Sequence, residues 1–568
     1  MKGLTKKWFI AFGLSAIIII GFIAAGNRDA KNFEIVKNLD IFYRLFGELN
    51  SYYVDETNPE KLVKTGIDAM LESLDPYTTL IPESEMEDFR FMTTGEYAGI
   101  GALITKRGKY IVISEPYEGF PAQEAGLKAG DRILEINGED MVGKESAQVS
   151  EKLKGPAQTQ VKVKVERQGE KKHLEIAITR RAIHIDAVPY YGMLNSETGI
   201  IILNSFTSDC SVEVEKALND LKNNHGLKNL ILDLRGNTGG LMDEAVKVAN
   251  LFLPRGSEVV NTKGKVTQWD KTYRAPREPI DTEIPMAVLI NRGSASASEI
   301  VAGALQDYDR ALIIGQRSFG KGLVQTTRNL SYNAKLKVTT AKYYIPSGRC
   351  IQAVDYSHRN DDGSVGYVPD SLIREFKTAG GRTVFDGGGI SPDVTMPVEK
   401  YSNLIIALVI QQTIFDYATE FAIKNPSINS PETFTMYDEA YNGLKDYVAS
   451  LDDFKYQSES QEMLKKLEDT SKREGYYDNT KEIFATLKEN LSPDVRRDMD
   501  IFKSEISEMF SLELMRRYYY QKGAIVFSLK DDKEVAKAVE VLANKTEYAG
   551  MLNGAILTHA GDKREINK

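Results

Sequence analysis

Residues 291–325 read NRGSASASEIVAGALQDYDRALIIGQRSFGKGLVQ, and the parsing of this stretch decides the fold. Just before it, Met286–Ile290 is an unbroken apolar run of strand length, which predicts a buried strand. Ser294-Ala295-Ser296-Ala297-Ser298-Glu299 then opens a segment in which Ile300, Val301, Ala304 and Leu305 recur at helix spacing. Ala311-Leu312-Ile313-Ile314 is strand-like again. Gly320-Lys321-Gly322 leads into Leu323–Leu330, which reads as a further strand. Strand, helix and strand in this order, repeated from Gly199 to Ile314, imply an α/β layer.

One serine ahead of a helix is an ordinary N-cap, and Glu299 supplies the acid of a capping box. Three serines interleaved with alanines exceed that need. The alanines keep the turn narrow, so that a substrate backbone can approach. A serine at a helix start also lies beside free N–H groups and the positive end of the helix dipole, where a developing oxyanion is stabilised. A nucleophilic serine needs a base. The five histidines, His173, His184, His225, His358 and His559, sit in no triad motif. Lysine serves instead if burial lowers its pKa toward neutrality. Lys321 lies between two glycines that permit a tight turn and leave room for a peptide. Gln325, four residues on, faces the same way in an extended chain and can hold the neutral amine by a hydrogen bond. From these residues alone, any of the three serines can be the nucleophile, and Lys321 is equally a solvated turn residue.

SASASE followed by FGKGLVQ resembles the C-terminal processing peptidases, or tail-specific proteases. These are serine proteases with a Ser-Lys dyad on a ClpP/crotonase-like α/β core that carries an inserted β-rich PDZ domain. The resemblance runs from about Tyr52 to Pro397. It implies that Ser296 is the nucleophile, Lys321 the general base and Gln325 the group that orients the lysine. A second motif agrees. Leu230–Leu234 reads as a buried strand running into Arg235-Gly236-Asn237-Thr238-Gly239-Gly240 and then a helix, Asp243–Leu253, which exposes backbone N–H groups at the strand end. By the resemblance, Gly240 supplies one oxyanion N–H and Ala297 the other. Within Tyr97–Arg180, the stretch Pro121–Gly138 resembles the PDZ signature, and Gly99-Ile100-Gly101 falls where that family binds a carboxylate. Glycines there let successive N–H groups turn toward one terminal carboxylate while a peptide adds to the sheet edge.

The length of 568 residues suggests three or four domains, and 42% hydrophobic content supports ordinary cores. The expected partition is 1–26 export signal or anchor, 27–94 helical, 95–181 PDZ, 182–397 protease core and 398–568 helical. Tyr356–Ser371 reads as a polar loop. A net charge of −9 offers no basic excess for nucleic acid. Cys210 and Cys350 lack metal-ligand spacing and no H-E-x-x-H occurs, so neither a metal nor an organic cofactor is expected. Lys2, Lys6 and Lys7 precede Trp8–Ala25, which carries no charge. That is the plan of an export signal, just long enough to span a bilayer. The expectation is export to the periplasm or cell envelope. The segment is either cut near Ala24-Ala25-Gly26 or kept as an inner-membrane anchor.

The expected partners are protein substrates with free C-terminal tails. Residues 398–568 suit oligomerisation, docking of an adaptor protein, covering of the active site, or plain stability. Two rival functions are weaker. Gly315–Lys321 fits the G-x-x-x-x-G-K of a nucleotide hydrolase, but Gly322 stands where magnesium binding needs Ser or Thr. A non-catalytic PDZ scaffold needs neither Ser296 nor Lys321.

Overall fold

The computed structural model describes residues 32–360 and 363–556. The proposed signal at 1–26, Asp361-Asp362 and His559 lie outside the described residues. The chain forms two compact units, divided after Leu80.

The first unit contains a helix over residues 32–52 and another, Pro59–Glu72. Asn58 caps the second by accepting the Lys61 N–H, and Pro59 occupies the first turn, where a missing N–H is harmless. The Asp75 carboxylate accepts the N–H groups of Tyr77 and Thr78, which ends the helical run as the Asp75-Pro76 pair predicts.

In the second unit, β1 (Glu96–Gly99) pairs antiparallel with β7 (Arg181–His184), and the chain enters and leaves a strand-rich module by these two strands. The module's sheet runs β2 (Ala102–Arg107), β3 (Tyr110–Pro116), β4 (Arg132–Ile136), β5 (Gln160–Glu166) and β6 (Leu174–Thr179), in that order. Helix α1 (Ser146–Leu153) contributes Val149 and Leu153 to its core. Alternation places Val161, Val163 and Val165 of β5 inside and lysines between them.

The central sheet follows the order β8 (Tyr190–Met193), β9 (Thr198–Ile202), β10 (Asn229–Asp233), β13 (Met286–Ile290), β14 (Leu312–Gly315) and β17 (Val394–Thr395). Only the edge strand β8 is antiparallel. The crossovers contain α2 (Cys210–Asn224), α3 (Met242–Asn250) and α4 (Ala297–Asp307). These helices cover one sheet face with Val214, Leu218, Val248, Val301 and Leu305. Continuous apolar strands require the other face to be covered as well. That cover comes from beyond residue 397. Val535, Ala538, Val541 and Leu542 of α9 (Lys533–Ala543) and Tyr548 of α10 (Lys545–Leu552) pack on Ile200, Ile231, Ala287, Leu289 and Ile314. A second sheet joins β15 (Leu323–Asn329), β16 (Lys335–Tyr344), β11 (Glu258–Gly264) and β12 (Lys271–Arg274), in that order.

The polar stretch expected as a loop is instead partly a hairpin, Val354–Arg359 against Val365–Tyr367. Gly363 takes φ +81° and bonds to the Asn360 carbonyl, while the Asn360 N–H bonds to Ser364, so polar turn residues close strands that polarity alone concealed. Farther on, α5 (Asn403–Ile410), α6 (Thr413–Lys424), α7 (Asp438–Ala449) and α8 (Lys503–Ser528) share a core of Leu404, Leu408, Phe434, Tyr441, Leu444, Phe510 and Leu514. Asp416 of α6 forms an ion pair with Arg107 of the strand-rich module.

Candidate active site

Parallel strands present their loops at their carboxyl ends. Here β10, β13 and β14 deliver three: 234–241, 291–296 and 316–322. The serine run lies in the second loop, and the structure separates its three hydroxyls. Ser294 and Ser298 are completely buried. The Ser294 hydroxyl donates to the Leu234 carbonyl at 2.8 Å, and that of Ser298 to the Asn237 carbonyl at 2.8 Å. Both staple the second loop to the first. Ser296 is only partly buried and takes φ +57°, ψ −113°, a conformation that non-glycine residues rarely adopt. Such strain persists where the surroundings over-determine it, and it clusters at functional sites.

The determinants are identifiable. Glu299, fully buried, accepts the Ser296 N–H at 2.8 Å, as a capping box requires. It also accepts the Ser318 hydroxyl at 2.5 Å and the N–H groups of Gly320 at 2.7 Å and Lys321 at 2.9 Å. One carboxylate thus ties the serine turn to the lysine loop. Burial pushes its pKa up to about 7, while these four donors pull the other way. Tyr343, buried on β16, makes the matching link through carbonyls: its hydroxyl lies 2.5 Å from the Lys321 oxygen and 3.1 Å from the Ser296 oxygen. Ser296 and Lys321 are therefore held together at both backbone polarities.

The glycines around Lys321 are required by packing. A Cβ on Gly320, at φ +85°, would lie 2.4 Å from the Ala353 Cβ, and one on Gly322 would lie 2.8 Å from the Gln352 nitrogen. The space they leave is filled by Ala353 and Gln352 rather than kept for a peptide. Lys321 itself is partly buried, and the chain continues directly into β15, so no helix N-terminus follows it to bind phosphate. The Gln325 amide donates to the Thr339 hydroxyl at 3.2 Å. Opposite Val324 and Gln325 the partner strand carries one extra residue, Thr340, a bulge of the kind found beside active sites.

The glycine loop abuts the serine. A Cβ on Gly239, at φ +100°, would lie 2.7 Å from the Ala295 oxygen and 2.8 Å from the Ser296 Cβ. Gly240, at φ +146°, bridges to Phe206, and a Cβ there would lie 2.4 Å from the Phe206 oxygen. Asn237 shapes the turn: its side chain donates to the Leu203 carbonyl and accepts the Gly239 N–H. Among the described residues, the N–H groups of Gly240 and Ala297 donate to no protein acceptor.

In the strand-rich module, the carbonyls of Ile100 and Gly101 accept N–H bonds from Ala122 at 2.7 Å and Tyr117 at 3.0 Å, which fixes the Gly99–Gly101 loop. Tyr97 packs over the same loop: a Cβ on Gly99 would lie 2.8 Å from its ring. The Ile100 side chain belongs to the module's core. His184, His225 and His358 lie beside carboxylates of Glu213, Asp220 and Asp355. Both thiols are free. Tyr343 and Ser318 carry no local sequence signal, and Asn237 carries only that of a turn residue. Glu299 reads as a capping-box acid, while its other partners come from residues distant in the chain.

Comparisons with known proteins agree over most of the chain. Residues 197–358 match peptidase family S41, residues 112–167 match the PDZ domain, and residues 404–542 match the C-terminal helical domain described for a "probable PDZ-protease". A carboxy-terminal-processing protease of Bartonella bacilliformis is 37% identical over 365 residues, covering 64% of this chain and 80% of that protein. A "probable CtpA-like serine protease" of Staphylococcus aureus is 35% identical over 411 residues, covering 70% of this chain and 74% of the relative. Among solved structures, the photosystem II D1 C-terminal processing protease is 30% identical, covers 62% of this chain and 92% of its own, and has a TM-score of 0.34. The chain belongs to the C-terminal processing peptidases, PDZ-containing serine proteases of family S41.

Proposed function

We propose that Ser296 is the nucleophile of this serine peptidase, with Lys321 taking its proton and later activating water for deacylation. The observation that carries this reading is the double link by Glu299 and Tyr343 between the Ser296 and Lys321 backbones. Gly240 and Ala297 donate to the oxyanion of the tetrahedral intermediate, a role supported by their N–H groups having no protein acceptor among the described residues and by Gly239, next to Gly240, lying against Ser296. Gln325, braced by Thr339, orients the lysine. Gly240→Ala brings a side chain against the Phe206 carbonyl and displaces the N–H. Turnover is expected to fall about 100- to 1,000-fold, the cost of losing one oxyanion donor. A near-normal kcat in that variant removes Gly240 from the assignment.

Substrates are captured by their free C-terminal tails on the PDZ module, whose Gly99–Gly101 loop receives the terminal carboxylate. The basic-then-apolar N-terminus supports export, which places cleavage in the cell envelope. The test uses one peptide with an apolar terminus, free or amidated. The free acid is expected to be cut at lower KM than its amidated twin. Equal KM values defeat tail recognition and leave the dyad standing.

A further inference from the structure

The helix α9 that covers the back of the central sheet also reaches the active-site loops. Its N-terminal residues, Asp532 and Glu534, meet Arg235, the first residue of the Arg235–Gly240 glycine loop. Arg235 pairs with Asp532 at 2.7 Å and with Glu534 at 2.8 Å, and it lies against Asp233 at 2.6 Å. Its side chain is 19% exposed, so these pairs are largely shielded from water. Asp532 is held in place because it also caps α9, accepting the N–H groups of Glu534 and Val535 at 2.9 Å each. The other oxygen of Glu534 accepts the Gln316 amide at 3.4 Å. Gln316 opens the loop that carries Lys321. One helix end therefore grips both arms of the site, the glycine loop through Arg235 and the lysine loop through Gln316. The helix is fixed by its apolar face on the sheet, and the Tyr548 hydroxyl on the following helix bonds to the Met286 backbone.

We infer that Asp532 and Glu534 are positioning residues for peptide hydrolysis, by which the C-terminal helical region sets the oxyanion loop relative to the dyad. This rests on the roles proposed above for Ser296 and Gly240. Neither carboxylate touches the reacting atoms. Their action is to hold Arg235, and so the start of a loop whose Gly239 lies against Ser296 and Ala297. A loop displaced by about 1 Å can cost about 100-fold in rate.

The test compares the full-length enzyme with Asp532→Asn/Glu534→Gln, which keeps side-chain shape and removes both charges. Three measurements are made: kcat and KM on a free-acid peptide, the labelling rate with a fluorophosphonate, and the melting temperature. The expected result is a fall in kcat of about 100-fold with KM within twofold, and a parallel slowing of labelling. In an Arg235→Lys background the same double change is expected to add little, because the partners act as one unit. A lowered melting temperature with kcat per folded molecule unchanged overturns the inference and leaves a purely structural clasp. Additive losses with Arg235→Lys overturn it too. Mass spectrometry of the labelled wild type separates the nucleophile's identity from the positioning role. A label away from Ser296 defeats the dyad reading, whereas a label on Ser296 at equal rates in both proteins defeats only the positioning role.

Discussion

Ser296→Ala is expected to lower peptide turnover about 10⁶-fold, the scale seen when a catalytic serine is removed, with little change in melting temperature. The reason lies in the division of labour among the three hydroxyls. Ser294 and Ser298 are buried and bond to the carbonyls of Leu234 and Asn237, whereas Ser296 faces the glycine loop. Ser294→Ala and Ser298→Ala therefore follow the opposite pattern. Ser294→Ala loses two hydrogen bonds, to the Leu234 carbonyl and from the Asn291 N–H, and Ser298→Ala loses one. Each leaves a buried partner unsatisfied, at a cost of about 1–3 kcal/mol of stability, and retains most of its turnover. Thermal melts, kcat and fluorophosphonate titration of the three variants check this in one series. Loss of turnover in Ser298→Ala, with Ser296→Ala active, would transfer the nucleophile's role to the buried serine.

The parts of the site that were legible in the sequence are those whose signals are local. Met286–Ile290 and Leu312–Gly315 read as strands because a parallel sheet covered on both faces tolerates unbroken apolar runs. The small-residue turn before α4 and the Gly-rich turn after β10 follow from the same neighbourhood. What escaped depends on partners distant in the chain. A capping box explains one bond of Glu299, yet three of its donors come from residues 19 to 22 positions later. Tyr343 is one tyrosine in a β-rich run, and nothing nearby marks it as the residue whose hydroxyl reaches Ser296 and Lys321. The apolar stripe of Val535, Ala538, Val541 and Leu542 predicts one buried face, but no pattern names the sheet that receives it. The back of that sheet is the clue: a mostly parallel sheet with helices on one side only is incomplete.

Lys321→Met and Lys321→Arg are both expected to abolish turnover while leaving the fold intact. A general base must be neutral, methionine has no basic atom, and a guanidinium stays protonated. The wild-type rate should rise with pH as the amine loses its proton and then level off. Glu299 adds a second ionisation. Its pKa is raised by burial from 4.5 to about 7, so between those values the folded protein holds a proton that the unfolded chain has released. Its contribution to stability is therefore fully present below pH 4.5, declines as pH rises toward 7, and is constant above. Activity should move the other way, because the carboxylate, not the acid, is matched to four donors from Ser296, Ser318, Gly320 and Lys321. Melts and rates across this range separate the two residues. Lys321→Met should lose all turnover and keep the part of the melting-temperature slope that Glu299 sets between pH 4.5 and about 7, since Glu299 accepts the Lys321 backbone N–H, which the substitution retains. Glu299→Gln should flatten that slope and slow turnover without ending it. Appreciable activity in Lys321→Arg would exclude lysine as the base. A slope that survives in Glu299→Gln would show that another buried acid sets the pH dependence.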